Sequence, residues 1–238
     1  MIARWQRILL LCILLTMAAW LVWQWPHSPW RAVLGALVPL CLYLVVMAVE
    51  FVLMHITNRT DAAPRARLSQ VVGAWWAEVW VALMVFCWRQ PFRHDSVPDW
   101  LPAQPTGKRG VVLVHGFMCN RGLWLPWFAQ LQARGHAYVA VNLEPVMGSI
   151  DEYADIIEDA VRQVTAATGQ APVLLCHSMG GLAVRAWLRA HQADGRVHRV
   201  LTLGTPHGGT WLGRISRAVN GRQMSLAGDW VVALQRAE

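Results

Sequence analysis

The sequence predicts an α/β domain built on a doubly wound, mostly parallel sheet and preceded by a membrane region of apolar helices. Three observations carry the prediction. Residues 8–25 and 32–54 form apolar runs long enough to span a bilayer. Beyond residue 110, short apolar runs alternate with amphipathic helical segments, the pattern of right-handed crossovers between parallel strands. Residues 172–190 change character at Ser178, from the apolar run Val173, Leu174, Leu175, Cys176 to helically spaced Leu182, Ala183, Ala186, Trp187 and Ala190.

Composition bounds what such a chain can be. Of 238 residues, 55% are hydrophobic and only 15% charged, and the mean hydropathy is +0.33, too apolar for a wholly soluble enzyme. The net charge of +7 is uneven: ten Lys or Arg oppose five acids up to residue 110, and eleven oppose nine beyond it. The basic excess therefore lies beside the apolar segments, which suits a membrane surface. No basic helix or aromatic strand platform accompanies it, so no nucleic-acid partner is expected. The five cysteines show no metal-ligand spacing, and no metal or cofactor is expected. Cys119 and Cys176 fall near the expected site; a disulfide between them is conceivable, but two free, buried thiols are favoured.

Arg4 and Arg7 precede the first run, and no small-x-small cleavage site follows it, so it reads as a retained helix and not a signal peptide. Trp20, Trp23, Trp25 and Trp30 cluster about a short Pro-containing loop, the belt expected where two helices meet one headgroup region. Arg59, Arg65 and Arg67, opposed by Asp61 alone, place the loop after the second run and the N-terminus on the cytoplasmic side of a multi-pass protein, read as one of a bacterial inner membrane. Residues 71–88 are long enough to cross, yet Glu78 with Trp75, Trp76 and Trp80 suits an interfacial helix equally, which leaves the side of the catalytic domain open. The membrane region is thus residues 1–89, and the prolines at 91, 98, 102 and 105 mark 90–110 as a stiff linker.

In the domain, residues 111–238, strands are expected at 111–115, 138–143 and 197–203, and helices at 123–133 and 150–167. The second helix has a capping box, Ser149 with Glu152, and a stop at Gly169. Asp151, Asp155, Glu158 and Asp159 are assigned to its wet face, and Ile150, Tyr153, Ile157 and Val161 to its dry one.

Ser178 sits where a nucleophile elbow holds its hydroxyl, at the carboxyl end of a buried strand beneath a new helix. Gly180 and Gly181 supply the small residues the far side of such a turn needs. On the near side Cys176 stands where G-x-S-x-G has glycine, so either the turn opens slightly or the cysteine points into packing. A serine that only caps its helix is the structural alternative.

Three segments in order, Val-Val-Leu-Val-His-Gly-Phe at 111–117, Cys-His-Ser-Met-Gly at 176–180 and Leu-Gly-Thr-Pro-His-Gly-Gly-Thr at 203–210, resemble the α/β-hydrolase superfamily and its lipase and esterase branch, including triacylglycerol-lipase-like and inositol-deacylase-like members. The resemblance covers about residues 110–220. It implies a serine ester hydrolase with Ser178 as nucleophile and the backbone N–H groups of Phe117 and Met179 as oxyanion hole. His115, Gly116 and His177 then belong to the scaffolding of the site. His207 is at the right edge, where ordering its own loop is favoured over service as general base. In this fold the acid and histidine follow the serine, but Asp194 precedes a strand and no histidine follows Asp229. Residues 230–234 read as a helix cut in mid-run, so a domain lacking its last strands is expected, with a degenerate, non-catalytic member as the alternative. Membrane attachment and Trp124, Pro126 and Trp127 favour a lipid or other hydrophobic ester as substrate. A membrane-anchored scaffold that kept the fold and lost the chemistry is the competing function.

Overall fold

The structure, a computed structural model, describes residues 1–60 and 64–237. Two compact units divide it: residues 4–88 form one, and residues 1–3 with 89 onward form the other. Asp61, the acid expected against Arg59, Arg65 and Arg67, lies outside the described residues.

The first unit is helical. α1 (Ile2–Gln24) and α2 (Pro29–Thr57) are longer than the apolar runs that predicted them, because backbone hydrogen bonding continues through flanking polar residues, while α3 (Leu68–Met84) begins before its run and ends short of residue 88. Pro29 at the first turn of α2 pre-sets φ where no N–H partner is needed. The Tyr43 hydroxyl donates to the Val79 carbonyl at 2.8 Å and pins α2 to α3. A single π-helical stretch, Val85–Arg89, carries α3 into the short α4 (Gln90–Phe92). All three long helices, with the third counted as Leu68–Phe92, are long and apolar enough to cross a membrane.

The second unit holds a four-stranded, all-parallel sheet of β1 (Val111–Val114), β2 (Tyr138–Ala140), β3 (Val173–His177) and β4 (Arg199–Leu203), in the order β2-β1-β3-β4. Val114 pairs with Cys176 and Cys176 with Thr202, so the three strand ends lie level. Both faces of the sheet are covered, which is why β1 and β3 read as unbroken apolar runs. Leu113, Tyr138, Ala140 and Leu175 pack under Trp124 and Phe128, at the start of and within α5 (Leu125–Ala133). Val112, Val114, Leu174 and Cys176 pack under α6 (Ala154–Thr168) and α7 (Met179–His191). Beyond β4 the chain forms α8 (Val219–Gln223) and α9 (Asp229–Arg236). β4 is an edge among the described residues and exposes Leu201 and Leu203.

Two expectations change. Residues 90–110, expected to be a linker, are bound to the sheet: Trp100 and Tyr138 exchange backbone hydrogen bonds at 3.0 and 2.9 Å. Arg121, buried against the Phe128 ring, donates to Asp99 at 2.6 Å and to the carbonyls of Val97, His94 and Ala140. Prolines without periodicity thus mark a segment held by side-chain-to-backbone bonds. Glu158, assigned to the wet face of α6, is 4% exposed. It accepts from Arg162 one turn on in α6 and, more tellingly, from the Trp187 indole at 2.9 Å and from Arg196, partners on and beyond α7 that a helical wheel of α6 does not contain. The capping box at Ser149 and the left-handed Gly169 at the end of α6 stand where the sequence places them.

Burial pushes the Glu158 carboxyl up, but hydrogen bonds from Arg196, Trp187 and Arg162 and the Arg196 charge outweigh it and hold it at about 2, below its usual 4.5. Its stabilising contribution is therefore complete above pH 4.5 and is lost as pH falls towards 2. Replacing Glu158 by Leu leaves two arginines facing a buried indole, and we expect a loss of about 3 kcal/mol at pH 7 in denaturant unfolding. A change under about 0.5 kcal/mol, the size of a surface substitution, would contradict the arrangement.

Candidate active site

β1 and β3 lie side by side, yet the chain leaves β1 towards β2 on one side and passes β3 to β4 on the other. Where the strand order reverses in this way, loops diverge and a crevice opens at the carboxyl ends. Gly116 and Ser178 both fall there, each just past its strand.

Ser178 links β3 to α7 with φ 52° and ψ −125°, a backbone conformation that costs a non-glycine residue about 1–3 kcal/mol. Its surroundings hold it in place. The Ser178 N–H donates to the Leu203 carbonyl at 2.8 Å, and its own carbonyl accepts from the Thr205 hydroxyl at 2.9 Å and the Gly181 N–H at 3.1 Å. Main chain passes so close that a Cβ on Gly180 would stand 2.6 Å from the carbonyl oxygens of Val114 and His115. One on Gly116 would stand 2.8 Å from the Ser178 Cβ. The glycine spacing is thus a requirement of contact between the two loops. Cys176, by contrast, is wholly buried among Val112, Leu174 and the α7 side chains, so the sulfur goes into packing and the turn accommodates it. Burial pushes its thiol up to about 12 and that of Cys119 up to about 11, and neither is in a disulfide.

Phe117 and Ser178 share a cavity of about 430 Å³ with Gly204, Pro206, Thr210, Leu212, Gly213, Ser216, Gly221 and Met224. Its apolar wall comes from Phe117, Pro206, Leu212 and Met224. The tryptophans expected near the site are elsewhere: Trp124 is buried in the α5 layer, Trp127 is exposed, and neither they nor Pro126 line the cavity. Met179 is buried directly below Ser178, at the N-terminus of the 13-residue α7.

His115 is buried and bonded at both ring nitrogens. Nε2 accepts the Leu143 N–H at 3.0 Å, so Nδ1 carries the proton and donates to the Gly116 carbonyl at 2.9 Å. It ties the Gly116 loop to the segment after β2. Burial pushes its pKa down to about 4 against the opposing Gly116 bond, and the ring is neutral at pH 7. His177 is half-buried beside Gly116, its pKa also lowered by burial, and its Nδ1 has no hydrogen-bond partner among the described residues. His207 is exposed past β4, with Nε2 3.2 Å from the Thr202 hydroxyl and its carbonyl accepting from Arg185 and Gln235; it does not line the cavity. Asp194 lies before β4, at the opposite end of the sheet, and Asp229 opens α9. Among the described residues the lining contains no His, Asp or Glu, and no group of three or more His, Cys, Asp or Glu could hold a metal ion.

Several residues that shape the site escaped sequence reasoning. Asn220 is fully buried and donates to the Val146 carbonyl and the Tyr153 hydroxyl, which fixes α8 against the cavity floor. Asp151 accepts from Arg189, Gln223 and Trp230, so one carboxylate gathers α7, α8 and α9. Each pairing joins residues at least 38 positions apart, beyond the reach of any local pattern.

A strained serine at the end of a central parallel strand, capped by a helix and facing a glycine loop, is the nucleophile-elbow arrangement of a doubly wound sheet. The sequence profile described as the alpha/beta hydrolase family matches residues 111–236, and the chain belongs to that family. The chain is 34% identical over 88 residues to esterase PIR7B of Oryza sativa subsp. japonica, a match covering 33% of this chain and 32% of that one, about a third of the relative's length. The lipase BlEst2 of Bacillus licheniformis in its propeptide form superimposes with a TM-score of 0.51 at 20% identity, over 58% of this chain and 34% of that one. Its mature form gives 0.48 at 21% identity, over 58% and 62%. The first of these likenesses bears on the fold alone.

Because His115 is buried and accepts the Leu143 N–H only while neutral, acidification should cost stability between pH 6.5 and 4, the interval between its ordinary and its lowered value. His115→Leu leaves the buried Leu143 N–H unpaired and should cost about 2 kcal/mol at pH 7 while flattening that part of the pH profile. An unchanged pH profile in the variant would assign the acid sensitivity to other groups.

Proposed function

We propose that this protein is a membrane-anchored serine hydrolase that cleaves carboxylic esters, with Ser178 as nucleophile and hydrophobic or lipid esters as substrates. The observation that carries the reading is the conformation of Ser178: a left-handed φ of 52° on a strand-to-helix turn, opening into a largely apolar cavity shared with Phe117. Strain of this kind persists where function requires it and the surroundings impose it.

The Ser178 hydroxyl attacks the ester carbonyl carbon, and its proton passes to a general base. The oxygen of the tetrahedral intermediate takes the negative charge and accepts the Phe117 and Met179 N–H groups, donors whose individual removal typically costs about 2.7–4 kcal/mol in such sites. Collapse of the intermediate expels the alcohol, which takes up the proton, and leaves an acyl ester on Ser178. Water then attacks that ester and releases the acid. His115, Gly116, Cys176, His177, Gly180, Gly181 and His207 support the elbow and its loops without touching the reacting atoms. The name of the compared rice esterase favours the same chemistry.

Membrane attachment rests on α1, α2 and the Leu68–Phe92 helix, whose apolar side chains, Leu9, Leu14, Val22, Leu42 and Val52 among them, are exposed over their outer surfaces. Such surfaces are stable in lipid and not in water. The arginines at 4, 7, 59, 65 and 67 favour a cytoplasmic N-terminus.

A second reading, a membrane-anchored scaffold without catalysis, is favoured by one observation: the described lining of the cavity has no His, Asp or Glu to take the serine proton. Reaction of the full-length protein with a fluorophosphonate separates the two. We expect labelling of the wild type and none of Ser178→Ala, with ester hydrolysis lost in parallel. Folded wild-type protein that resists the probe, or an S178A variant that still reacts, would replace the enzyme reading with the scaffold.

A further inference from the structure

The loop that follows β1 is held from an unexpected direction. Gly116 to Cys119 forms a turn closed by a hydrogen bond from the Cys119 N–H to the Gly116 carbonyl at 3.3 Å. Met118 occupies its third position with φ 55°, a place normally given to glycine. A side chain there costs about 1 kcal/mol or more, so the turn needs anchoring on both sides. On the Gly116 side the anchor is His115. On the other it is Gln90, 30 residues earlier in the chain, in the three-residue α4 that follows the third long apolar helix.

Gln90 is fully buried. Its side-chain carbonyl accepts the Asn120 N–H at 3.1 Å, and its backbone carbonyl accepts the Asn120 side-chain amide at 2.9 Å. The Gln90 side chain also hydrogen-bonds the Cys119 thiol. Asn120 in turn accepts the Gly122 N–H at 2.9 Å, and Gly122 lies so close that a Cβ there would stand 3.0 Å from both the Arg89 carbonyl and the Gln90 Cα. The segment around Gln90 is therefore fitted to residues 119–122 through backbone, side chain and close packing together. Directly upstream of that fit are the strained Met118 and the Phe117 amide.

We infer that Gln90 is a positioning residue for the Gly116–Asn120 loop: by fixing Cys119 and Asn120 it holds the Met118 turn in its left-handed conformation and keeps the Phe117 N–H aimed at the site above Ser178. The inference rests on the reading of Phe117 as an oxyanion donor. Its physical basis is that a donor must be in place before charge develops, and that displacement of such a group by about 1 Å can cost on the order of 100-fold in rate. A buried glutamine serving packing alone would not need its side-chain carbonyl set to accept the Asn120 N–H.

The test uses the full-length chain in detergent, with Gln90→Met, which keeps length and helical preference but removes the acceptor, and Gln90→Glu, which keeps an oxygen for the Asn120 N–H. Amide hydrogen exchange is read across residues 116–122 and in β1 and β3, alongside fluorophosphonate labelling rate and ester kinetics. In Q90M, exchange over 116–122 should rise about 10-fold with β1 and β3 unchanged, a local opening. Its labelling rate and kcat should fall about 10- to 100-fold with KM within about threefold, the signature of a lost transition-state contact. Q90E should recover most of both. Exchange in Q90M equal to wild type, or protection lost evenly over loop and strands, overturns the inference. Wild-type protein that neither labels nor hydrolyses esters overturns the enzyme reading instead, while the exchange comparison still decides whether Gln90 tethers the loop.

Discussion

The site depends on a steric constraint: three stretches of main chain meet at the carboxyl ends of β1 and β3 with no room for side chains between them. Gly180 touches the Val114 and His115 carbonyls, Gly116 touches the Ser178 Cβ, and a Cβ on Gly181 would lie 2.3 Å from the Thr205 hydroxyl. That contact forces Ser178 into its left-handed conformation, and the conformation lifts the serine clear of the sheet. Its opening into the cavity shared with Phe117 follows from it. Hydrogen bonds to Leu203 and Thr205 carry the constraint across to the end of β4.

Much of this was legible in the sequence because it is written in short-range patterns. The β1 and β3 runs, the helical spacing after Ser178, the glycines at 180 and 181, the Ser149–Glu152 box and the Gly169 stop each occupy a few adjacent positions, and their physics is local. What escaped is what requires a partner far along the chain. Glu158 looked like one more acid on a solvated face because Trp187 and Arg196 lie outside α6. The proline-rich stretch looked like a spacer because the residue that binds it, Arg121, follows it by some twenty positions. Gln90 had no signature at all, being a single polar residue at the end of an apolar helix. Helix ends in the first unit were misjudged for a different reason: hydropathy marks where a segment is apolar, whereas backbone hydrogen bonds continue past the charges and tryptophans that flank it.

Five buried polar residues of the second unit share one arrangement. Glu158, Arg121, Asn120, Asn220 and His115 are each nearly inaccessible, and each has its polar atoms met by named donors or acceptors from other elements. A buried polar group paired in this way costs little, while the same group left alone costs several kcal/mol. Such groups therefore specify which loops sit together, a task apolar packing performs poorly. It is notable that they gather around the segments flanking the site, where two loops and α8 have to be placed relative to Ser178, and are sparse along the strands themselves.

The two thiols next to the site have a consequence for how it is held. Cys119 and Cys176 are shielded from solvent and held far from the thiolate form, at about 11 and 12. Thiolate is the species that oxidants, electrophiles and exchanging disulfides attack, so neither sulfur offers them a foothold at neutral pH. The packing around Ser178 consequently relies on no sulfur–sulfur bond at either position.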